Sequence, residues 1–243
     1  MSWHLPPQPL RRRTLLPFAF GTLAAAQLAT LLSPRLGASE AYPLKAMLVF
    51  GGAAVVAAGH VADTHPFDRL GAANVVTTLR LLLLSLVAAL IGEWPTSTLA
   101  WAGALVGVAV TTLDGVDGWL ARRTGYASDF GARYDMETDA LLILVLAVLA
   151  WQHEKAGVWI VLAGAMRYLF VASGYLWPWM NAALPASLRR KTVCVVQIVG
   201  LIVIVSPVAA PPVSVAVAAL TLLALTWSFA VDVAWLHQHR PVR

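Results

Sequence analysis

Polar surface is what this sequence lacks: only 12% of its 243 residues are charged, against 59% that are hydrophobic. A soluble domain of that length must present far more charge to water, so a water-soluble globular class is excluded. A single cysteine, Cys194, excludes a disulfide framework and a cysteine-based zinc site. Acids are scarce too, 12 against 17 Lys and Arg, for a net charge of +5. That basic balance does not indicate nucleic acid. The cations sit beside apolar runs, so anionic membrane lipids are the expected partner and no nucleic acid is. His60, His65, His237 and His239 lack partners at metal-ligand spacing and read as surface residues.

What is present instead is apolar sequence in runs of about 20 residues, the length a helix needs to cross a hydrocarbon core about 30 Å thick. Inside such a helix the backbone satisfies its own hydrogen bonds. Mean hydropathy is +0.74. The pattern predicts an all-α integral membrane protein with about eight transmembrane helices, near 14–33, 44–62, 74–92, 98–116, 135–152, 157–177, 192–207 and 212–235. Ser33-Pro34, Glu93-Trp94-Pro95 and Ala210-Pro211-Pro212 separate them. The first run follows three arginines as a signal peptide would, but it is too long for one and reads as a retained span.

Positive charge sets the expected orientation. Arg11, Arg12, Arg13, Arg69, Arg122, Arg123, Arg133, Arg189, Arg190, Lys191, Arg240 and Arg243 all fall on one side, whereas the opposite loops hold Arg35, Lys45 and Lys155. Both termini are therefore expected in the cytoplasm.

Six of the twelve acids (Asp114, Asp117, Asp129, Asp135, Glu137 and Asp139) fall between residues 114 and 139. A solvated loop is the bland explanation. Asp114 and Asp117 are three apart at the end of the fourth span, however, and Asp135 and Asp139 are four apart where the fifth begins. Each pair shares a helix face, within bridging distance of one cation. Carboxylates so close repel by up to about 4 kcal/mol per pair at an intermediate dielectric and require a compensating cation. All-oxygen ligands favour Mg²⁺ or Mn²⁺, and a two-metal site would suit substitution at phosphorus. Asp114, Gly118 and Arg122 form one four-residue row, and Gly131, Asp135 and Asp139 another. Glycine admits a close ligand and arginine offers a fork to phosphate, so a nucleotide diphosphate with its metal fits. Asp129 reads as a loop acid, Glu137 as a neighbour of the site, and Asp232 as the partner of a basic residue.

The segment DGVDGWLARRTGYASDFGARYDMETD resembles the signature of the CDP-alcohol phosphatidyltransferases at Asp114, Asp117, Gly118, Ala121, Arg122, Gly131, Asp135 and Asp139. Asn74, Thr77 and Arg80 in NVVTTLR resemble the opening of that family's first core helix, and Arg167 with Arg189, Arg190 and Lys191 resemble its later basic residues. The resemblance implies a basic N-terminal tail (1–13), two additional transmembrane helices (14–62), a six-helix core (63–238) and a short cytoplasmic tail (239–243). It also implies that Asp114, Asp117, Asp135 and Asp139 hold metal, with Asp139 as the catalytic base. Gly118, Ala121, Arg122, Gly131, Asn74 and Thr77 would border the nucleotide. Arg80, Arg167, Arg189, Arg190 and Lys191 would serve an acceptor or its phosphate.

The expected reaction moves a phosphatidyl group from CDP-diacylglycerol to a polar alcohol, free or phosphorylated, releases CMP, and runs at the cytoplasmic face. A homodimer is a further expectation. A CDP-choline or CDP-ethanolamine enzyme acting on diacylglycerol is the alternative reading. A cation-binding transporter is a remote one, since it would need acids near the bilayer midplane.

Overall fold

The computed structural model describes residues 10–67, 69–124 and 128–240, leaving aside the side chains of residues 10, 11, 62, 63, 121 and 122. Among them are eight α-helices and no strand: α1 (Leu10–Leu36), α2 (Tyr42–Thr64), α3 (Gly71–Ala88), α4 (Ser97–Thr124), α5 (Asp129–Gln152), α6 (Leu162–Leu176), α7 (Leu188–Val205) and α8 (Val213–Gln238). Short 3-10 helices cover Val158–Val161 and Pro178–Asn181. Six stretches are long and apolar enough to cross a membrane: most of α1, α2 and α4, all of α3 and α8, and Val158–Leu176. Charge sets α5 and α7 apart, because α5 carries Asp129, Arg133, Asp135, Glu137 and Asp139, and α7 opens on Arg189, Arg190 and Lys191.

Helix ends depart from the sequence expectation where caps decide them. Span five was expected from residue 135. The helix starts at Asp129 because the Ser128 hydroxyl accepts the Gly131 N–H at 3.1 Å, an N-terminal cap. Span seven begins at Leu188 rather than 192, capped likewise by Ser187. Span three stops at Ala88, short of 92, and the chain turns through Gly92 at φ 81°. Helix α1 takes in Arg11, Arg12 and Arg13, which were expected to precede it.

Two compact units divide the chain, Met1–Asp139 and Ala140–Arg243. In the first, α1 and α2 approach through small residues, with Ala25, Ala29, Ala46 and Ala54 buried. Gly21 leaves room for the ring of Phe50, against which any added Cβ would collide. The outer face of α1 exposes Leu16, Phe20, Leu23 and Leu31, a surface suited to lipid. Helix α3 packs on α4. At the end where α1 turns into α2, Glu93 from the loop after α3 accepts Ser39 N–H at 2.7 Å and Ser39 O–H at 2.8 Å, and pairs with Lys45. Burial opposes charge on Glu93, but these donors outweigh it and hold the carboxyl below the usual carboxylate range.

In the second unit α7 packs on α8, where Gly200 faces Thr221 closely enough that a Cβ would lie 2.7 Å from its methyl. Lys155 donates to the Ala209 carbonyl at 2.6 Å, and Ser214 donates to the Lys155 carbonyl at 2.6 Å.

Candidate active site

Three helices of the first unit build the site. Helix α3 buries Asn74, Thr77, Thr78 and Arg80 on one face. Helix α4 presents Asp114 and Asp117 and continues two turns beyond them to Thr124. Helix α5 presents Asp135 and Asp139, one turn apart and inside the helix rather than at its start. All four carboxylates converge on Arg80. Its Nη1 lies 3.1 Å from Asp114 Oδ1 and 2.7 Å from Asp117 Oδ2, and it also bonds Asp135 Oδ1. Its Nη2 lies 2.5 Å from Asp139 Oδ1, and its Nε donates to the Val110 carbonyl at 3.2 Å.

Arg80 is fully buried. A guanidinium removed from water needs charged acceptors for its donors, and the carboxylates supply them. Conversely, four acids that would repel one another are focused on a single positive group. The donor set therefore accommodates cationic charge at its centre.

The four aspartates are not equivalent. Oxygens of Asp114, Asp135 and Asp139 lie within 4.8 Å of one another. Bonds of about 2.1 Å around one octahedral Mg²⁺ put opposite oxygens about 4.2 Å apart, so these three could share a hard divalent cation after a contraction of some tenths of an ångström. Their side chains are 27%, 39% and 20% exposed, which leaves room for substrate or water oxygens to complete a shell, whereas Asp117 is 4% exposed. Thr77 Oγ lies 3.1 Å from Asp117 Oδ2 and 3.2 Å from the Ala73 carbonyl, so its single proton serves one of them at a time.

Residues 70–231 match the family model of CDP-alcohol phosphatidyltransferase. The chain belongs to this family. A search of curated proteins and one of solved structures each found no match. As a CDP-alcohol phosphatidyltransferase the chain is a multi-pass membrane transferase of phospholipid biosynthesis, in a family that uses CDP-alcohol donors, alcohol acceptors and divalent metal. All four aspartates lie within the matched residues, while α1 and α2 precede them.

Of the nucleotide residues expected for a CDP-alcohol phosphatidyltransferase, Asn74, Thr77 and Gly131 are brought to the aspartates' helices. Gly131 abuts Asn74, where a Cβ would lie 2.8 Å from Oδ1, and Asn74 itself donates to the Leu70 carbonyl at 2.6 Å. Gly118 is half-buried on α4, one turn past Asp114. The side chains of Ala121 and Arg122 lie outside the described residues. Arg80, assigned from the sequence to an acceptor or phosphate pocket, points into the carboxylate cluster.

The remaining acceptor candidates belong to the second unit. Arg189 bonds Ser228 and Asp232, with its guanidinium 5.6 Å from the Trp227 ring centroid. Arg190 reaches Asp232 at 3.1 Å, Lys191 is exposed, and Arg167 is half-buried on α6. Asp232 thus has the basic partners expected of it.

Two readings of the sequence are corrected. Asp129, read as a loop acid, lies in the first turn of α5. His65 is not a surface histidine: it is 6% exposed, with its ring between Ser128 and the Arg69 carbonyl. Its partners lie four and sixty-three positions away, on segments whose proximity no periodicity reveals. The neighbours of the aspartates were also missed. Tyr134 is buried, stacks on Phe130 and donates to Thr78 Oγ at 3.3 Å.

Proposed function

We propose that this enzyme transfers the phosphatidyl group of CDP-diacylglycerol to the hydroxyl of a polar alcohol, free or phosphorylated, releasing CMP at the cytoplasmic face. The observation that carries the reading is the convergence of Asp114, Asp117, Asp135 and Asp139 from two helices inside the family match. Asp114, Asp117, Asp135 and Asp139 would hold divalent metal between them, with Asp114, Asp135 and Asp139 the three whose oxygens lie close enough to share one ion. Bound there, Mg²⁺ or Mn²⁺ neutralises charge on the diphosphate and on the departing phosphate oxygen.

The protein residues then have distinct tasks. Asn74, Thr77, Gly118, Ala121 and Gly131 border the cytidine, and Arg122 forks onto the diphosphate. Asp139 takes the proton of the acceptor hydroxyl. The hydroxyl oxygen bonds to the β-phosphorus as the bond from that phosphorus to the CMP oxygen breaks, so phosphatidyl alcohol and CMP are the products. Arg80 keeps the four carboxylates convergent. The number of basic residues in the matched sequence, Arg167, Arg189, Arg190 and Lys191 among them, favours an anionic acceptor, and the distribution of Lys and Arg favours cytoplasmic termini.

The test is purified protein with CDP-diacylglycerol, Mn²⁺ or Mg²⁺, and a panel including glycerol phosphate and inositol phosphate. Alcohol-dependent CMP release with a new phospholipid, read by mass, is the expected result. Product only from CDP-choline or CDP-ethanolamine with diacylglycerol would transfer the enzyme to the alternative donor class. No CMP from any donor would remove the reading.

A further inference from the structure

Helices α1 and α2 lie outside the residues that match the family. They nevertheless touch α5 at two places beside the aspartates. Phe18 of α1, 4% exposed, meets Tyr134 edge to face at 6.2 Å, and Tyr134 immediately precedes Asp135. His65, which ends α2, meets Ser128, the residue that caps α5.

The hydrogen bonds at His65 have one consistent direction. The Arg69 carbonyl can only accept, so Nε2, at 2.8 Å, carries the proton and donates. In the neutral ring Nδ1 then accepts, and it takes the Ser128 hydroxyl proton at 3.0 Å. Ser128 Oγ in turn accepts the Gly131 N–H. A continuous chain thus runs from the backbone before α3, through the end of α2, into the first turn of α5. Alongside it the rings of His65, Phe130 and Tyr134 follow one another at 5.6 and 5.5 Å, and Phe18 closes the row.

Geometry turns this into control of the site. Phe130 and Tyr134 form one row of α5, and Gly131, Asp135 and Asp139 form the next, about 100° around the helix. Fixing the aromatic row fixes the roll of α5 and therefore the direction of the two carboxylates.

We infer that the α1–α2 hairpin is a brace for the metal-binding face of α5, with His65 a positioning residue that acts through Ser128. The inference rests on the proposed metal role of Asp135 and Asp139, but the brace itself is read without metal or turnover. Full-length protein with Cys194→Ser receives spin labels at V108C on α4 and A132C on α5, both exposed positions. The interlabel distance distribution is measured by pulsed electron resonance. H65A and F18A should each broaden it, and H65A should weaken Mn²⁺ binding about 10-fold or more, the usual consequence of losing a supporting partner. H65Q keeps a donor for the Arg69 carbonyl or an acceptor for Ser128, and should recover much of the loss.

A distribution unchanged in folded H65A and F18A would overturn the brace, as would H65Q no better than H65A. If the distribution broadens but no variant, nor the parent protein, binds Mn²⁺, the brace stands and the proposed metal reading fails.

Discussion

The Arg80 guanidinium lies 2.7 Å from Asp117 Oδ2, with Arg80 fully buried and Asp117 nearly so. Neither charge has water to fall back on, so each depends on the other and on the acids around them. The two residues are 37 positions apart on different helices, which makes the pair a tertiary link as well as an electrostatic one.

Removing Arg80 should therefore cost stability first. Breaking one side of a buried pair costs about 3–5 kcal/mol, and in R80M the loss leaves four acids facing one another. Thermal unfolding in chelator should show a marked drop for R80M. Added Mn²⁺ should restore more of it than it adds to the parent protein, because an ion that binds only the folded state stabilises by mass action. Equal responses to Mn²⁺ would mean that the cation and the arginine serve different places.

Substitutions at the aspartates should separate by exposure. D114N and D135N should abolish CMP release and Mn²⁺ binding while leaving helix content intact, since both side chains are partly open to solvent. D117N should instead lower the unfolding temperature, because it removes the most buried of the negative charges that compensate Arg80. Near-normal turnover in D114N or D135N would exclude the proposed chemistry.

At Gly131 the limit is space. G131A puts a Cβ 2.8 Å from Asn74 Oδ1, and crowding of that kind typically costs about 1–3 kcal/mol. The double variant G131A/N74A should be less damaged than the two single losses predict, a coupling that denaturant unfolding can measure.

Glu93 gives a pH dependence at the far end of the first unit. Its carboxyl titrates below its ordinary value of 4.5 in the folded protein, so the unfolded chain binds the proton more readily. The stabilisation is present above 4.5 and is lost as pH falls through the lower folded value. Stability of the parent protein should decline over that acid window, and E93Q, already neutral, should lack this component. Parallel pH profiles would show that Ser39 and Lys45 contribute nothing through the charge.

Much of the site was legible because spacing translates directly into a helix face. Asp114 with Asp117, and Asp135 with Asp139, could be paired from the chain alone, and the apolar runs located the helices. The start of α5 was misplaced because its acids and Ser128 look like loop. A serine followed by aspartate is also how a capped helix begins, and that signal was available. The direction of Arg80 was not: an arginine in an apolar run has one sequence pattern whether it lines a pocket or pairs with acids. His65 left no trace either, since what makes it buried is a partner sixty-three residues later.

The Glu93 contacts carry a consequence for how the protein is made. Ser39 and Lys45 leave the ribosome 54 and 48 residues before the carboxylate that will receive them. Synthesis proceeds from the N-terminus, so the first hairpin enters the bilayer with an ammonium group still lacking its counter-charge. Its counter-charge comes from the loop that follows α3. A nascent chain truncated before Glu93 would therefore carry Lys45 at that membrane boundary without the carboxylate that pairs with it in the folded protein.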